Sequence, residues 1–227
     1  MTDLRVQTRA ASGASAADTA LPRVVRNTYL LLSMVMAVAA VGAFIGLRSG
    51  LTWSMPMWLL FMVVFIGGPF AINAAKKGDM AIWLTFAWAG LVGFLLSPMI
   101  AAYLAIPGGA GIVMNALGGT AALFVGLSAV ALTTRKDFGF LSSFLMAGVI
   151  VVLLGIVALL IFQTPMLSLL ISGLAVLLMS GFILYDTSRM IHDGAANPVY
   201  ITVSLFGSIV VLFSHLLNLF AFLSGDD

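Results

Sequence analysis

Seven stretches of this chain run for roughly twenty residues each with almost no charge, which leaves few folds open. Of 227 residues, 62 % are hydrophobic and 8 % charged, with a mean hydropathy of +1.18. A water-soluble domain does not have this composition, so the solvent must be a bilayer. In hydrocarbon every backbone N–H and C=O has to pair within the protein, and only helices and closed barrels achieve that. A barrel needs apolar and polar residues in alternation. The runs here are unbroken, so the expected fold class is an all-α integral membrane protein, a seven-transmembrane-helix bundle.

The runs fall in order at Tyr29–Leu47, Met55–Ala75, Met80–Ala105, Ile112–Thr134, Leu141–Phe162, Met166–Tyr185 and Val199–Leu223. Lys76 and Lys77 close the second, and Arg135, Lys136 and Asp137 close the fourth. Pro98 is expected to kink or locally break the third. Asn197-Pro198 restarts the chain before the seventh. Residues 1–28, rich in Ala, Ser and Thr, read as a flexible N-terminal tail, 29–223 as the membrane domain, and 224–227 as a short acidic tail. The first run is too long for a cleavable signal peptide.

Basic residues set the orientation. Arg5, Arg9, Arg23, Arg26, Lys76, Lys77, Arg135, Lys136 and Arg189 fall on one side and only Arg48 on the other. The N-terminus is therefore expected in the cytoplasm and, with an odd number of spans, the C-terminus outside. The polar residues of the seventh run leave a re-entrant segment as the competing reading. These loop charges account for the pI of about 9.2 without nucleic acid. Tyr29, Trp53, Trp83, Tyr103, Tyr185 and Tyr200 form an interfacial belt. Gly42 with Gly46, and Gly118 with Ala122 and Gly126, have the small-residue spacing that lets helices approach closely.

One carboxylate stands apart. In the segment GFILYDTSRMIHDG at 181–194, a helix that continues past Tyr185 puts Asp186 roughly 10 Å inside an end marked by Gly194. Poor hydration and the negative end of the helix dipole both disfavour a charge there. An ionisable residue so placed is a functional candidate by default, and the plainer alternative pairs it with Arg189 at the membrane border. Ser204, Ser208, His215 and Asn218 lie within about 80° of one another on the seventh helix. Lipid disfavours that face, so the seventh helix is expected to be central. The stripe reads either as interhelical hydrogen bonding or as the wall of a hydrophilic cavity.

No catalytic motif, cofactor motif or metal-ligand spacing is present. The glycine runs lack the Lys and Ser/Thr of a phosphate loop, and His192 and His215 do not make a zinc spacing. The absence of Cys removes thiolate chemistry. A Tyr-Asp pair within a membrane suggests an aspartyl protease, but that mechanism needs a second carboxylate, and no other span carries Asp or Glu.

Three stretches carry a family resemblance: FAWAGLVGFLLSPMI at 86–100, NALGGTAALFVGLSAVALTTRKDFGFL at 115–141, and SGFILYDTSRMIHDG at 180–194 continued by VSLFGSIVVLF at 203–213. The chain resembles the Bax inhibitor-1 family, most closely its bacterial YccA-like branch. The resemblance implies seven helices with the seventh in the centre, a place in the bacterial inner membrane, and a partner in the membrane protease FtsH, whose handling of membrane proteins it would modulate. In that branch the N-terminal cytoplasmic tail is implicated in the handling of the protein itself by the protease. In other members an Asp at the position of Asp186 pairs with a second Asp on the seventh helix, in a pH-sensitive calcium leak. The matching residue here is Ser208, and the second-helix arginine that latches the first Asp has no counterpart. The alternative function is thus a calcium or cation leak with Asp186 as proton-responsive element, assisted by Arg189 and lined by Ser208, His215 and Asn218.

Overall fold

A computed structural model of the protein describes residues 3–75, 78–193 and 197–225, with side chains from Arg23 onward. Lys76, Lys77, Gly194 and the terminal Asp226-Asp227, named above as span and tail markers, lie outside the described residues. Among the described residues there are seven helices and no strand: α1 (Asp3–Arg48), α2 (Met55–Ala74), α3 (Gly78–Leu104), α4 (Gly109–Thr134), α5 (Leu141–Phe162), α6 (Pro165–His192) and α7 (Pro198–Ser224). Each has a stretch long and apolar enough to cross a bilayer.

In α1 the stretch Arg23–Arg48 is long and apolar enough to cross a bilayer. Val24 and Val25 pack on the core and Thr28 is fully buried. The helical backbone continues back to Asp3. The seventh run is one continuous helix rather than a re-entrant segment. It starts as its sequence directs: the Val199 amide donates to Asn197 Oδ1 at 2.9 Å and Pro198 occupies the first turn, where a missing N–H costs nothing.

Pro98 does not break α3, which runs through it to Leu104. A proline in a helix leaves the carbonyl four residues earlier without its amide donor, here Phe94. The Ser97 hydroxyl takes over, donating to Phe94 O at 2.7 Å. The helix survives because the neighbouring side chain supplies the hydrogen bond that water cannot.

α1 lies against this part of α3 with almost no side-chain padding. A methyl group on Gly42 would overlap the carbonyl of Gly90, and one on Gly93 would overlap that of Ala39. One on Gly46 would strike both Phe94 O and the Ser97 hydroxyl. The expected close approach at Gly42 and Gly46 is therefore realised. The second small-residue stripe is a correction: a methyl on Gly118 or Gly126 meets nothing within 4 Å, and Ala122 is exposed. That stripe faces away from the bundle.

α7 is the axis of the assembly. It packs against α1, α2, α3, α4 and α6. Leu205, Phe206, Leu212 and Leu217 are wholly enclosed, and Trp88 of α3 sets its ring edge-on to Phe206 at 5.2 Å between centroids. α5 lies outermost and touches α6 alone.

The two glycine stripes should respond oppositely to added volume. Gly42→Ala should lower stability by about 1–3 kcal/mol through overpacking, whereas Gly118→Ala should be neutral or stabilising by up to about 1 kcal/mol. Reversible unfolding in detergent or bicelles measures both. Equal losses in the two variants would contradict the packing described here.

Candidate functional site

Asp186 lies on α6, one and a half turns before the helix ends at His192, and is 2 % exposed. Its depth follows from continuity. Tyr185 does not end the helix, so the carboxylate enters the bundle at an end that also carries Arg23, Arg26, Arg135, Lys136 and Arg189, called here the basic end. Its partner is a hydroxyl of α7: Ser204 Oγ donates to Asp186 Oδ2 at 2.5 Å.

Arg189 is not that partner. It turns outward, is about half exposed, and reaches Asp193 Oδ2 at 3.8 Å while its guanidinium lies 5.7 Å from the Tyr185 ring centre. The border pairing of Asp186 with Arg189, weighed as the plain alternative, is replaced by an i,i+4 pair. Ser208 is buried one turn beyond Ser204 on the same helix. The hydroxyl that meets the carboxylate is therefore the earlier one, and the position matching a second aspartate is not the contact.

The rest of the α7 stripe finds partners on α6 as well. His215 Nδ1 lies 3.1 Å from Ser172 Oγ, and Asn218 Nδ2 donates to Ser168 Oγ at 2.8 Å. These contacts and the Asp186–Ser204 bond form three rungs along one antiparallel seam. His215 and Asn218 also line a cavity of about 360 Å³ with Ser168, Ser172, Ser214 and Gln163, under Trp53 and Trp58. Asp186 does not line it. Eleven residues separate Ser204 from His215, roughly 16 Å along the helix. The structure thus brings His215 and Asn218 together and keeps both apart from Asp186 and Ser208.

Sequence reasoning missed the α6 half of the seam. Ser168 and Ser172 stand four residues apart in the sixth run, the same signal that exposed the α7 stripe. Thr187 and Ser188 were also overlooked beside Asp186. Ser188 Oγ accepts from the Phe138 amide at 3.0 Å and donates to Lys136 O at 3.2 Å. His192 Nε2 lies 3.1 Å from Arg135 O. The end of α6 therefore holds the α4–α5 turn, where Arg135 adopts a left-handed φ of 48°.

Among the described residues four further hydroxyls are enclosed without a partner: Thr28 Oγ1, Tyr29 Oη, Ser128 Oγ and Thr187 Oγ1. At about 1.5 Å per residue all lie within two or three turns of the basic end, at the depth of Asp186. Thr202 Oγ1 donates to Thr28 O at 3.3 Å, tying α7 to α1 in that layer. Unpaired buried hydroxyls suit internal water, which takes about three hydrogen bonds from such groups. The donor set suits divalent ions poorly, because calcium takes six to eight oxygens, several of them from carboxylates. Among the described residues no three His, Asp or Glu side chains converge.

Known proteins are similar in sequence over nearly the whole chain. The family model described as Inhibitor of apoptosis-promoting Bax1 matches residues 21–225. The protein named Modulator of FtsH protease YccA, from Escherichia coli K12, is 41 % identical over 204 residues, covering 90 % of this chain and 92 % of its own. A protein of E. coli O6:H1 with the same identity and coverage is named Inner membrane protein YccA. An uncharacterised protein of Pasteurella multocida is 43 % identical over 206 residues, covering 90 % and 92 %.

The seam should behave as a set of pairs. Asp186→Ala and Ser204→Ala should each cost about 1–2 kcal/mol and couple in a double-mutant cycle by at least about 0.5 kcal/mol. Asp186→Ala with Arg189→Ala should be additive. Strong coupling in the second cycle and none in the first would show that the carboxylate is held by the arginine instead.

Proposed function

The chain belongs to the Bax inhibitor-1 family, and from that premise we propose that it is an inner-membrane regulator that binds the membrane protease FtsH and modulates the turnover of membrane proteins. The observation that carries this reading is the near-full-length similarity to the E. coli modulator of that protease. The site chemistry points the same way. Asp186, answered by the Ser204 hydroxyl, lacks the second carboxylate that an intramembrane aspartyl protease needs. The protein on this reading acts by association, not by catalysis. Asp186 with Ser204, His215 with Ser172 and Asn218 with Ser168 then serve to hold α6 and α7 in one register, Ser208 lies buried beside them on α7, and Arg189 marks the membrane border.

The basic end is assigned to the cytoplasm because Lys and Arg accumulate in cytoplasmic loops. The residues ahead of Arg23 then lie on that side, available to the protease as a tail. The C-terminus after α7 lies in the periplasm.

Two measurements test this. Tagged chain, solubilised from membranes, should retain FtsH through purification, and its deletion should change the lifetime of FtsH membrane substrates at least about twofold; unchanged lifetimes would remove the regulatory reading. Alkaline phosphatase fused after Gly225 should be active, since that enzyme works only outside the cytoplasm. An inactive phosphatase fusion with an active cytoplasmic reporter at the same place would reverse the topology.

A further inference from the structure

His192 ends α6, and its side chain is exposed to water at the basic end. Each of its ring nitrogens faces a backbone carbonyl. Nδ1 lies 3.0 Å from Ser188 O, and Nε2 lies 3.1 Å from Arg135 O at the start of the α4–α5 turn. A carbonyl oxygen only accepts, so each nitrogen has to bring a proton. A neutral imidazole carries one N–H in either tautomer, whereas the imidazolium carries two. The arrangement is complete only when the ring is charged.

The Ser188 hydroxyl carries this dependence further into the turn. It gives its single proton to Lys136 O at 3.2 Å while accepting from the Phe138 amide at 3.0 Å. The same oxygen lies 3.4 Å from His192 Nδ1. If Nδ1 loses its proton, it becomes an acceptor that competes for that hydroxyl, and the donor to Lys136 O is drawn away. If Nε2 loses its proton, Arg135 O loses its donor and two lone pairs oppose each other. Either loss releases one carbonyl of the turn. The backbone there is ready to relax, because Arg135 sits at a φ of 48°, a left-handed conformation that a residue with a Cβ adopts only at a cost.

Charges of both signs surround this end of α6. They are Arg23 and Arg26 on α1, Arg135, Lys136 and Asp137 in the turn, and Arg189 and Asp193 on α6 itself. α4 and α5 contribute no titratable group, and Tyr200 on α7 and the buried Asp186 complete the set. Of these, His192 is the group whose ring joins α6 to the turn, and imidazole is the side chain that changes charge between about pH 5 and 8.

We propose that His192 is a proton-operated clasp. In its charged form it locks the α4–α5 turn onto the end of α6, and on losing a proton it frees residues 135–140 to move. Low pH on the side that the basic end faces closes the clasp, and rising pH opens it.

The chain has no cysteine, so Phe140→Cys, at a side chain 77 % exposed, gives one attachment point for a nitroxide label in the full-length protein in nanodiscs. The label should be held at about pH 5.5, and its mobile fraction should rise roughly threefold by about pH 8.5, the worth of one hydrogen bond. His192→Phe, a ring without nitrogens, should leave the label mobile at both values, and Asp186→Asn should keep the original response. Nitrogen-15 spectra of histidine in the chain with His192 intact give a second reading: its ring should show two protonated nitrogens at the lower pH and one at the higher. A label indifferent to pH, a response that survives His192→Phe, or a singly protonated His192 ring at about pH 5.5 would overturn the clasp. A response lost in Asp186→Asn and kept in His192→Phe would overturn it too, and would assign the movement to the buried carboxylate.

Discussion

Hydrocarbon offers no hydrogen bonds, and the architecture of this protein follows from that one constraint. Each polar side chain carried into the bilayer has to be answered by another part of the chain. α7 carries Ser204, Ser208, Ser214, His215 and Asn218, so it is placed where several helices surround it. α6 answers with Asp186, Ser172 and Ser168. The seam between the two helices is thereby fixed in register at three depths, and the apolar side chains of α7 fill the space toward α1 and α3. Ser97 shows the same rule on a smaller scale, replacing the amide that Pro98 lacks. The rule is incompletely met at four hydroxyls among the described residues, all near the basic end.

Much of this was legible before the coordinates. The apolar runs mark seven helices because a spanning helix has a length set by the bilayer. The polar stripe on the last run marks the central helix because lipid rejects such a face. The partner of Asp186 was less legible. Spacing along α6 offers Arg189, one turn on, but its guanidinium turns outward to Asp193, and the residue that meets the carboxylate comes from α7. Periodicity reveals which face of a helix is polar without revealing which level of a neighbouring helix stands opposite. The same limit explains the two glycine stripes. Gly42 and Gly46 meet α3, while Gly118 and Gly126 meet nothing, and their sequences alone do not distinguish them. Family resemblance supplied the central place of the seventh helix independently, yet it pointed to Ser208, one turn from the true contact.

The separation of the polar groups bears on how the protein works. A path through the membrane would need the Asp186 layer and the His215 cavity to join. Between them α7 carries buried apolar side chains, among them Ile209, Leu212 and Phe213. The two polar regions are therefore separate local features at opposite depths, which agrees better with a scaffold that presents surfaces than with a conduit.

α5 is the helix least bound to the rest. It rests on α6 alone, and the contact consists of sockets: a methyl added to Gly148 would meet Leu178, one on Gly155 would meet Ile171, and one on Gly181 of α6 would meet Leu145. With a mean hydropathy of 3.2 over its best window it is also the most lipid-soluble of the seven. Any lateral load that the bilayer places on this outrigger is carried across a single row of interlocked knobs. A side chain as small as alanine at one of those sockets would loosen the mooring of one helix and leave the other six where they stand.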